Sequence, residues 1–317
     1  MSTIRTAVVG AGYLGLFHAQ KYASEPASSL VGVVDTRSDA RDAVARELGT
    51  QAVADYRELL GKVDAVSVVT TTPAHFAIAR DFLESGAHVL VEKPITETVQ
   101  QARELIDVAA RAGRILQVGH LERFNPAIVA AGPRLAQARF IECQRLAPFK
   151  ERGTDVNVVL DLMIHDIDIV RSIVGRPIES IDAVGTPVFS GAVDIANARL
   201  RFEGGCVANV TASRVSLKTE RKLRVFRDDA YVSIDLQQRI LTTIVKRTTP
   251  PAAGELPVTI DEQSFEQGDA LRAEIRSFLD CITQSLPPVV SGEDGLRALE
   301  TAIRITEMLV PKQGSQT

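Results

Sequence analysis

A chain of 317 residues is long enough to form two hydrophobic cores, so two domains are expected. A net charge of -4 gives no electrostatic basis for nucleic-acid binding or for an anionic membrane surface. The three scattered cysteines fit no zinc spacing, so no metal site is predicted and a reducing compartment is indicated. No apolar run reaches membrane-spanning length, and the first residues form no signal peptide. The sequence therefore predicts a cytoplasmic protein without nucleic-acid or membrane partners.

The first part of the chain alternates short apolar runs with helical patterns. Continuous apolar runs bounded by turn residues predict strands buried on both faces, as in a parallel sheet. Strands that alternate with helices of ordinary length predict βαβ units. The sequence therefore predicts an α/β Rossmann dinucleotide-binding domain over residues 1–122. The predicted strands lie at 5–9, 30–35, 65–69, 88–92 and 115–119.

Beyond Phe124 the pattern changes to strands in which apolar and polar residues alternate. Gly204-Gly205 is typical of a hairpin turn between two of them. Helices are predicted at 158–174, 270–281 and 295–309. These features predict an α+β domain over residues 123–317 with a large, mostly antiparallel open sheet. Because too few helices follow to cover a broad sheet, we expect a homodimer or homotetramer.

The glycine pattern Gly10-x-Gly12-x-x-Gly15 lies between the first strand and the first helix. In this context it is typical of a turn that brings the backbone close to a pyrophosphate at a helix N-terminus. Asp35 follows twenty residues after Gly15 and would accept a hydrogen bond from a ribose 2′-hydroxyl, which favours NAD over NADP. Arg37 leaves NADP open, because an arginine there could pair with a 2′-phosphate. The alternative is a glycine turn that binds nothing.

A second signal is His88-Val-Leu-Val-Glu-Lys-Pro94, in which an apolar run ends in two charges and a proline. Charges are costly inside a doubly buried strand, so Glu92 and Lys93 are expected at its carboxyl end. Ligands bind at that edge in open α/β sheets. Pro94 restricts the backbone next to the lysine. The alternative is an ordinary loop with solvated charges.

A third signal is Asp161-x-x-x-His165 on the helix predicted from Val158. A spacing of four puts both side chains on one helix face, where a carboxylate could orient an imidazole as a general base. The apolar neighbours suggest burial, so a satisfied core histidine is the alternative. Asp166 or Asp168 could instead be the partner of His165.

Polar residues crowd the point where the last Rossmann strand ends, in Gly119-His120-Leu-Glu-Arg123-Phe-Asn125-Pro. Such switch points form binding crevices in α/β proteins, and the alternative is a solvated interdomain hinge. Further basic residues could line the crevice and bind a diphosphate, or could form a solvated loop. The basic candidates are Arg123, Arg145, Lys150 and Arg152.

In their order along the chain, these motifs resemble the glucose-fructose oxidoreductase, inositol dehydrogenase and rhizopine catabolism (Gfo/Idh/MocA) family. The resemblance covers nearly the whole chain and includes the stretch Thr70-Thr-Thr-Pro-Ala-His75. It implies an NAD(P)-binding Rossmann domain and a sheet domain that supplies sugar contacts and oligomer interfaces. One departure is Asn157-Val-Val-Leu160, where many members carry a glycine-rich run.

The resemblance also implies functional residues. The catalytic residues would be Lys93, Asp161 and His165. The cofactor-binding residues would be Gly10, Gly12, Tyr13, Leu14, Gly15, Asp35, Thr36, Arg37, Thr70, Thr71, Thr72, Pro73, His75, Glu92 and Lys93. The substrate-binding residues would be Lys93, His120, Arg123, Asn125, Arg145, Lys150, Arg152, Asp161 and His165.

Gly-His-Leu-Glu-Arg-Phe-Asn-Pro looks like the branch of this family that oxidises the 3-hydroxyl of UDP-N-acetylglucosamine or its uronate. That resemblance implies an NAD-dependent dehydrogenase that makes a 3-keto sugar for transamination, in the first case towards lipid A. His165 would take the hydroxyl proton and Lys93 would stabilise the alkoxide, although the two roles could be exchanged. A dehydrogenase of a free sugar or an inositol-like polyol is one alternative. A non-catalytic NAD-binding regulator is another, although a regulator would need neither Lys93 nor His165.

Overall fold

The computed structural model describes residues 3–150, 156–249 and 256–309. The chain forms two compact units. Unit 1 contains Met1–Phe124 and Asp269–Leu299, and unit 2 contains Asn125–Gly268 and Glu300–Thr317. The sequence prediction assigned all of residues 123–317 to one domain, whereas the segment Asp269–Leu299 belongs to unit 1. The division in the C-terminal part falls within the last helix.

Unit 1 is built on a six-stranded parallel sheet, which confirms the predicted Rossmann domain. Its strands are β1 (Ile4–Val9), β2 (Ser28–Val34), β3 (Gln51–Val53), β4 (Ala65–Val68), β5 (His88–Glu92) and β6 (Leu116–Gly119). They lie in the order β3-β2-β1-β4-β5-β6. Because all six run in one direction, the residues that follow them meet at a single carboxyl edge.

The described residues contain eight α-helices. They are α1 (Tyr13–Ser24), α2 (Ser38–Leu48), α3 (Thr72–Glu84), α4 (Val99–Ala112), α5 (Pro126–Ala131), α6 (Ile164–Val174), α7 (Ala270–Gln284) and α8 (Gly292–Leu309). None of the helices in these described ranges is long and apolar enough to cross a membrane.

Helix α7 explains why a C-terminal segment belongs to unit 1. Its side chains Ile275, Phe278 and Leu279 are buried in one core with Tyr22 of α1 and Leu90 of β5. The predicted helix was correct in type, but amphipathicity alone does not specify which sheet an apolar helix face covers. In the structure, the apolar face of α7 is buried in the core of the Rossmann domain.

Unit 2 is built on an eight-stranded sheet that is mostly antiparallel, as predicted. Its strands are β7 (Phe140–Leu146), β8 (Ile178–Thr186), β9 (Ile195–Phe202), β10 (Val207–Ser213), β11 (Glu220–Phe226), β12 (Ala230–Asp235), β13 (Ile240–Lys246) and β14 (Val258–Ser264). They lie in the order β14-β13-β12-β11-β7-β10-β9-β8, and β7 pairs with β10 in parallel. Gly204 and Gly205 make the turn between β9 and β10 with φ of +86° and +88°, as the glycine pair predicts.

Candidate active site

The glycine turn after β1 has little space except at one point. Gly10 has a φ of +104°, and a Cβ there would lie 2.4 Å from the Val69 carbonyl oxygen. A Cβ on Gly15 would lie 1.7 Å from the Gly10 carbonyl oxygen. Above Gly12, in contrast, the nearest atom to a Cβ is Arg37 Nη2 at 4.0 Å. Gly10 and Gly15 therefore allow the backbone to pack closely, whereas Gly12 leaves room for a ligand.

Helix α1 begins at Tyr13, directly after this turn. Its first intrahelical hydrogen bond runs from Leu16 N to Gly12 O, so the N–H groups of Tyr13, Leu14 and Gly15 precede the helical ladder. Such N–H groups, with the helix dipole behind them, favour a phosphate. The turn and the helix start therefore fit the pyrophosphate of a dinucleotide.

Asp35 lies after β2 and holds the second part of the predicted cofactor site. Its Oδ2 accepts a hydrogen bond from Ala11 N at 2.8 Å, and its Oδ1 accepts one from Arg37 N at 2.9 Å. Burial alone would raise the pKa of Asp35, but these two hydrogen bonds and the Arg37 charge hold it below its ordinary value. The carboxylate is thus ionised, as recognition of a ribose hydroxyl requires. Thr36 and the Arg37 side chain are exposed beside it.

The predicted cofactor residues Thr70 and Thr71 lie in the loop after β4, and Thr72 and Pro73 begin α3. His75 is buried on α3. Its Nε2 lies 3.1 Å from the Thr70 carbonyl oxygen and its Nδ1 lies 3.0 Å from the Pro94 carbonyl oxygen. Burial lowers the pKa of His75. A neutral imidazole has one N–H, so His75 donates to one of these two carbonyl oxygens and lies between the segments that follow β4 and β5.

Glu92 ends β5 and Lys93 follows it at the carboxyl edge, where the sequence predicts them. The Glu92 side chain is only 14% exposed and its Oε1 lies 3.2 Å from His18 Nε2. Lys93 N donates to Glu92 Oε2 at 3.2 Å. A Cβ on Gly119 of β6 would lie 2.8 Å from Glu92 Oε1, so the carboxyl group occupies space that only a glycine leaves.

Asp161 and His165 belong to unit 2, and the helix that carries them differs from the prediction. A regular helix from Val158 is wrong for the first turn, because Val159–Met163 is a π-helical turn and α6 begins at Ile164. The Asn157 side chain oxygen accepts hydrogen bonds from Val159 N and Leu160 N, both at 3.0 Å, and so caps this turn. Both Asp161 and His165 are half-buried and not in the core. π-Helical turns are frequent at functional sites.

The candidate substrate residues lie in different environments. His120 is buried after β6. Arg123 is half-buried, and its Nη2 donates to the Val289 carbonyl oxygen at 3.2 Å. Asn125 caps α5 through its Oδ1, which accepts from Ala127 N at 3.1 Å, and its Nδ2 donates to the Leu236 carbonyl oxygen at 2.9 Å. Asn125 therefore has a structural task within unit 2.

The basic candidates of unit 2 also differ among themselves. Arg145 is buried, and its Nε and Nη2 both donate to the Asp166 carboxylate at 2.9 Å. This bidentate pair gives the Arg145 charge an internal partner and answers the question of what Asp166 binds. Lys150 is exposed. Arg152 lies outside the described residues.

Sequence reasoning did not find the buried polar groups around Glu92. His18, Ser67 and Glu274 are all buried in unit 1. Glu274 did carry a signal, because it lies four residues before Phe278 and therefore on the apolar face of α7. A glutamate on the buried face of an amphipathic helix requires an explanation.

A parallel sheet with a pyrophosphate turn, an acid after its second strand and a lysine at its carboxyl edge defines a dinucleotide-dependent oxidoreductase. The comparisons with known proteins agree. Residues 4–120 match the model of an oxidoreductase family with an NAD-binding Rossmann fold, GFO_IDH_MocA, and residues 99–233 match a C-terminal domain of the same family. The chain belongs to the Gfo/Idh/MocA family and is an NAD-dependent oxidoreductase.

Two of the similar proteins are dehydrogenases of a nucleotide sugar and of an inositol. UDP-N-acetylglucosamine 3-dehydrogenase of Acidithiobacillus ferrooxidans is 39% identical, over 96% of this chain and 97% of that protein. A solved structure of that enzyme covers 98% of each chain with a TM-score of 0.92. The scyllo-inositol 2-dehydrogenase (NAD(+)) of Bacillus subtilis is 29% identical, over 96% of this chain and 93% of that protein.

Proposed function

We propose that this protein oxidises a secondary hydroxyl of a nucleotide sugar, namely the 3-hydroxyl of UDP-N-acetylglucosamine, to the 3-keto sugar with NAD as the oxidant. The observation that carries the proposal is the 39% identity to a UDP-N-acetylglucosamine 3-dehydrogenase over nearly the full length of both chains. The inositol dehydrogenase of Bacillus subtilis covers a similar share of the chain at 29% identity.

The proposed chemistry uses three side chains. NAD, when bound, accepts the hydride from the carbinol carbon. The Lys93 ammonium would stabilise the negative charge that develops on the substrate oxygen, because it extends from the carboxyl edge of the Rossmann sheet. His165 would take the hydroxyl proton, and Asp161 would orient its imidazole. An exchange of the roles of Lys93 and His165 would keep the same overall reaction.

The diphosphate would be bound by basic residues other than Arg145. Arg145 is buried and its guanidinium is bound to Asp166, so its charge is already balanced inside unit 2. We assign the diphosphate to Arg123, Lys150 and Arg152, and contacts to the sugar to His120. The Asn125 amide binds backbone groups of unit 2. Asn125 would therefore fix the backbone that follows Arg123 and would not contact the substrate itself.

The substrate is tested by NADH formation across a panel of UDP-N-acetylglucosamine, its uronate, UDP-glucose, scyllo-inositol and myo-inositol. We expect kcat/KM to be highest for one of the two N-acetylated UDP-sugars. Uridine diphosphate should inhibit competitively, because it carries the diphosphate without the N-acetylglucosamine. A preference for an inositol, with no inhibition by uridine diphosphate, would replace this proposal with a polyol dehydrogenase.

We extend the proposal to the setting of the reaction. The 3-keto product is the substrate class of an aminotransferase, whose 3-amino sugar is a precursor of lipid A or another surface glycan. A cytoplasmic location fits the three buried thiols Cys143, Cys206 and Cys281, which form no disulfide. A coupled assay with a 3-keto-sugar aminotransferase and an amino donor should yield a UDP-linked 3-amino sugar.

We also propose that a second copy of the chain covers the sheet of unit 2 in a homodimer or homotetramer. Apolar side chains on its strands are exposed, including Val184 of β8, Val245 of β13 and Ile260 of β14. Exposed apolar surface of this kind marks interfaces. Light scattering at micromolar concentration should give a mass of two or four chains, and a monomer mass would contradict this part.

A further inference from the structure

A row of hydrogen-bonding groups leads through the interior of unit 1 to Glu92. Tyr22 Oη lies 2.9 Å from Ser67 Oγ, and Ser67 Oγ lies 3.2 Å from His18 Nδ1. His18 Nε2 then lies 3.2 Å from Glu92 Oε1. Tyr22, Ser67 and His18 are all 1% exposed or less. Buried groups of this kind require a consistent assignment of donors and acceptors.

One direction satisfies every group in this row. The Tyr22 hydroxyl donates to Ser67, the Ser67 hydroxyl donates to His18 Nδ1, and His18 Nε2–H donates to the Glu92 carboxylate. Lys93 N–H donates to the other oxygen of the same carboxylate. All donors therefore point to Glu92, and a carboxylate that receives such hydrogen bonds is stabilised as an anion.

Glu274 carries a second carboxyl group in this interior. Its surroundings differ from those of Glu92 because they supply no hydrogen-bond donor from the described residues. Its residue exposure is 0%, and neither of its carboxyl oxygens has a hydrogen-bond partner among the described residues. Gln117 of β6 donates to its backbone carbonyl at 3.4 Å and not to its side chain. Burial, together with the nearby charge of Glu92, raises the pKa of Glu274 well above its ordinary value. Burial acts in the same direction on Glu92, but His18 and Lys93 outweigh it and lower the pKa of Glu92.

We propose that Glu92 is a positioning residue for Lys93, and that it provides a single buried negative charge beside that lysine while Glu274 remains a neutral acid. The inference rests on the role proposed above for Lys93. The groups that face the carboxylate are His18 from α1, Gly119 from β6, Lys93 on its own strand end and Glu274 from α7. Two carboxyl groups in one apolar interior cannot both ionise cheaply, so one proton remains on the group without donors.

This arrangement sets the charge state of the lysine. A negative charge next to an ammonium favours the protonated form, so the Glu92 carboxylate would raise the pKa of Lys93. Removing that charge lowers the pKa of Lys93 whether the lysine acts as an electrostatic stabiliser or as a base. Removing the Glu274 carboxyl group leaves the pKa of Lys93 unchanged, because that group carries no charge. The inference therefore predicts a lower Lys93 pKa in Glu92→Gln and an unchanged Lys93 pKa in Glu274→Gln.

The test measures the protonation of Lys93 without using catalysis. The full chain is acetylated with trace acetic anhydride between pH 6 and 11, and the yield at each lysine is read by mass spectrometry of its peptide. Exposed Lys62 serves as the internal reference. In Glu92→Gln the midpoint for Lys93 should fall by about 1 pH unit or more relative to wild type. In Glu274→Gln it should match wild type, and Lys62 should not move in either variant.

Three results would overturn the inference. These are an unchanged Lys93 midpoint in Glu92→Gln, a shift in Glu274→Gln equal to that in Glu92→Gln, and a fall in Glu92→Asp, which retains the charge. If Glu92→Gln does not fold, a Lys93 midpoint that falls in Glu274→Gln still overturns the inference. Failure of the proposed function is a separate observation, because it would appear as wild-type turnover in Lys93→Met whatever the labelling shows.

Discussion

The two units bury charge in different ways. In unit 2, Asp194 accepts hydrogen bonds from the backbone N–H groups of Val188, Phe189 and Ser190, from the Ser190 hydroxyl and from Arg214 Nε. Arg145 and Asp166 likewise form a bidentate buried pair. In unit 1, His18 and the Lys93 N–H donate to the Glu92 carboxylate, whereas none of the described residues donates to the Glu274 carboxyl group. These two buried charges of unit 2 are paired internally, whereas Glu92 and Glu274 of unit 1 form an uneven pair in which Glu92 lies next to Lys93.

The largest effect that this contrast predicts is on stability in unit 2. Asp194→Asn removes the charge opposite Arg214, which is 7% exposed, and should lower the free energy of unfolding by about 3–5 kcal/mol. Asp228→Asn is the matched control, because Asp228 also pairs with an arginine but is 75% exposed. Urea unfolding should show little change for the control. Equal effects of the two substitutions would remove the distinction between buried and exposed pairs.

The Asp194 effect should also depend on pH. The Ser190 hydrogen bonds and Arg214 outweigh burial and hold the pKa of Asp194 below its ordinary value in the folded state. A group with a depressed pKa stabilises the fold above its unfolded pKa of about 3.9, and this stabilisation is lost as the pH falls below that value. The stability difference between wild type and Asp194→Asn should therefore be complete at pH 7 and shrink in acid.

Next in size is the effect of Lys93 on turnover in unit 1. Lys93→Met should lower kcat about 10²-fold or more, which is the scale of losing one preorganised electrostatic group. The dissociation constant for NAD should hardly change, because the glycine turn and Asp35 are intact. Lys93→Arg should also fail, since a guanidinium does not fit the place of an ammonium. Lys62→Met is the exposed control, and single-turnover hydride transfer with saturating substrate makes the measurement.

Much of unit 1 could be predicted from the sequence, because a doubly buried strand must be apolar and its charges must lie at its end. This argument placed Asp35, Glu92 and Lys93 at the carboxyl edge, where the structure has them. The same reasoning could not foresee that α7 completes the Rossmann core, since sequence separation does not reveal which sheet a helix covers.

Unit 2 was harder to read at the level of side chains. Alternation predicted the type of sheet, but an arginine in an alternating strand looks the same whether it binds a ligand or an internal carboxylate. Arg145 is such a residue, because its partner Asp166 lies on a helix 21 positions further along the chain. The π-helical turn before α6 depends on one capping side chain, Asn157, and periodicity gave no sign of it.

A smaller effect is expected at the cofactor site. Asp35→Ser should reduce the preference for NAD over NADP by about tenfold, the scale of losing one hydrogen bond to a charged group. Arg37 would then be able to pair with a 2′-phosphate. The measurement is the dissociation constant for each cofactor. Asp39→Ser, at an exposed position of α2, is the control. Equal constants in wild type would remove the role given to Asp35.

A last effect concerns Glu274 and appears only as a trend with pH. Its pKa is raised in the folded state, so wild type loses stability as the pH rises above the ordinary glutamate value of about 4.3. Glu274→Gln removes that loss, so its melting temperature relative to wild type should increase from pH 5 to pH 8. Glu97→Gln, at an exposed position, should show no such trend. A flat difference for Glu274→Gln would mean that Glu274 is ionised in the fold.

The central claim, that the chain oxidises C3 of UDP-N-acetylglucosamine, is tested most directly by following the hydrogen that is transferred. UDP-N-acetylglucosamine labelled with deuterium only at C3 is incubated with the protein and NAD, and the NADH formed is analysed by mass spectrometry. The account predicts one deuterium in every NADH and a slower rate of hydride transfer than with unlabelled substrate. NADH that forms without deuterium, or no NADH at all under conditions in which an inositol is oxidised, would contradict it.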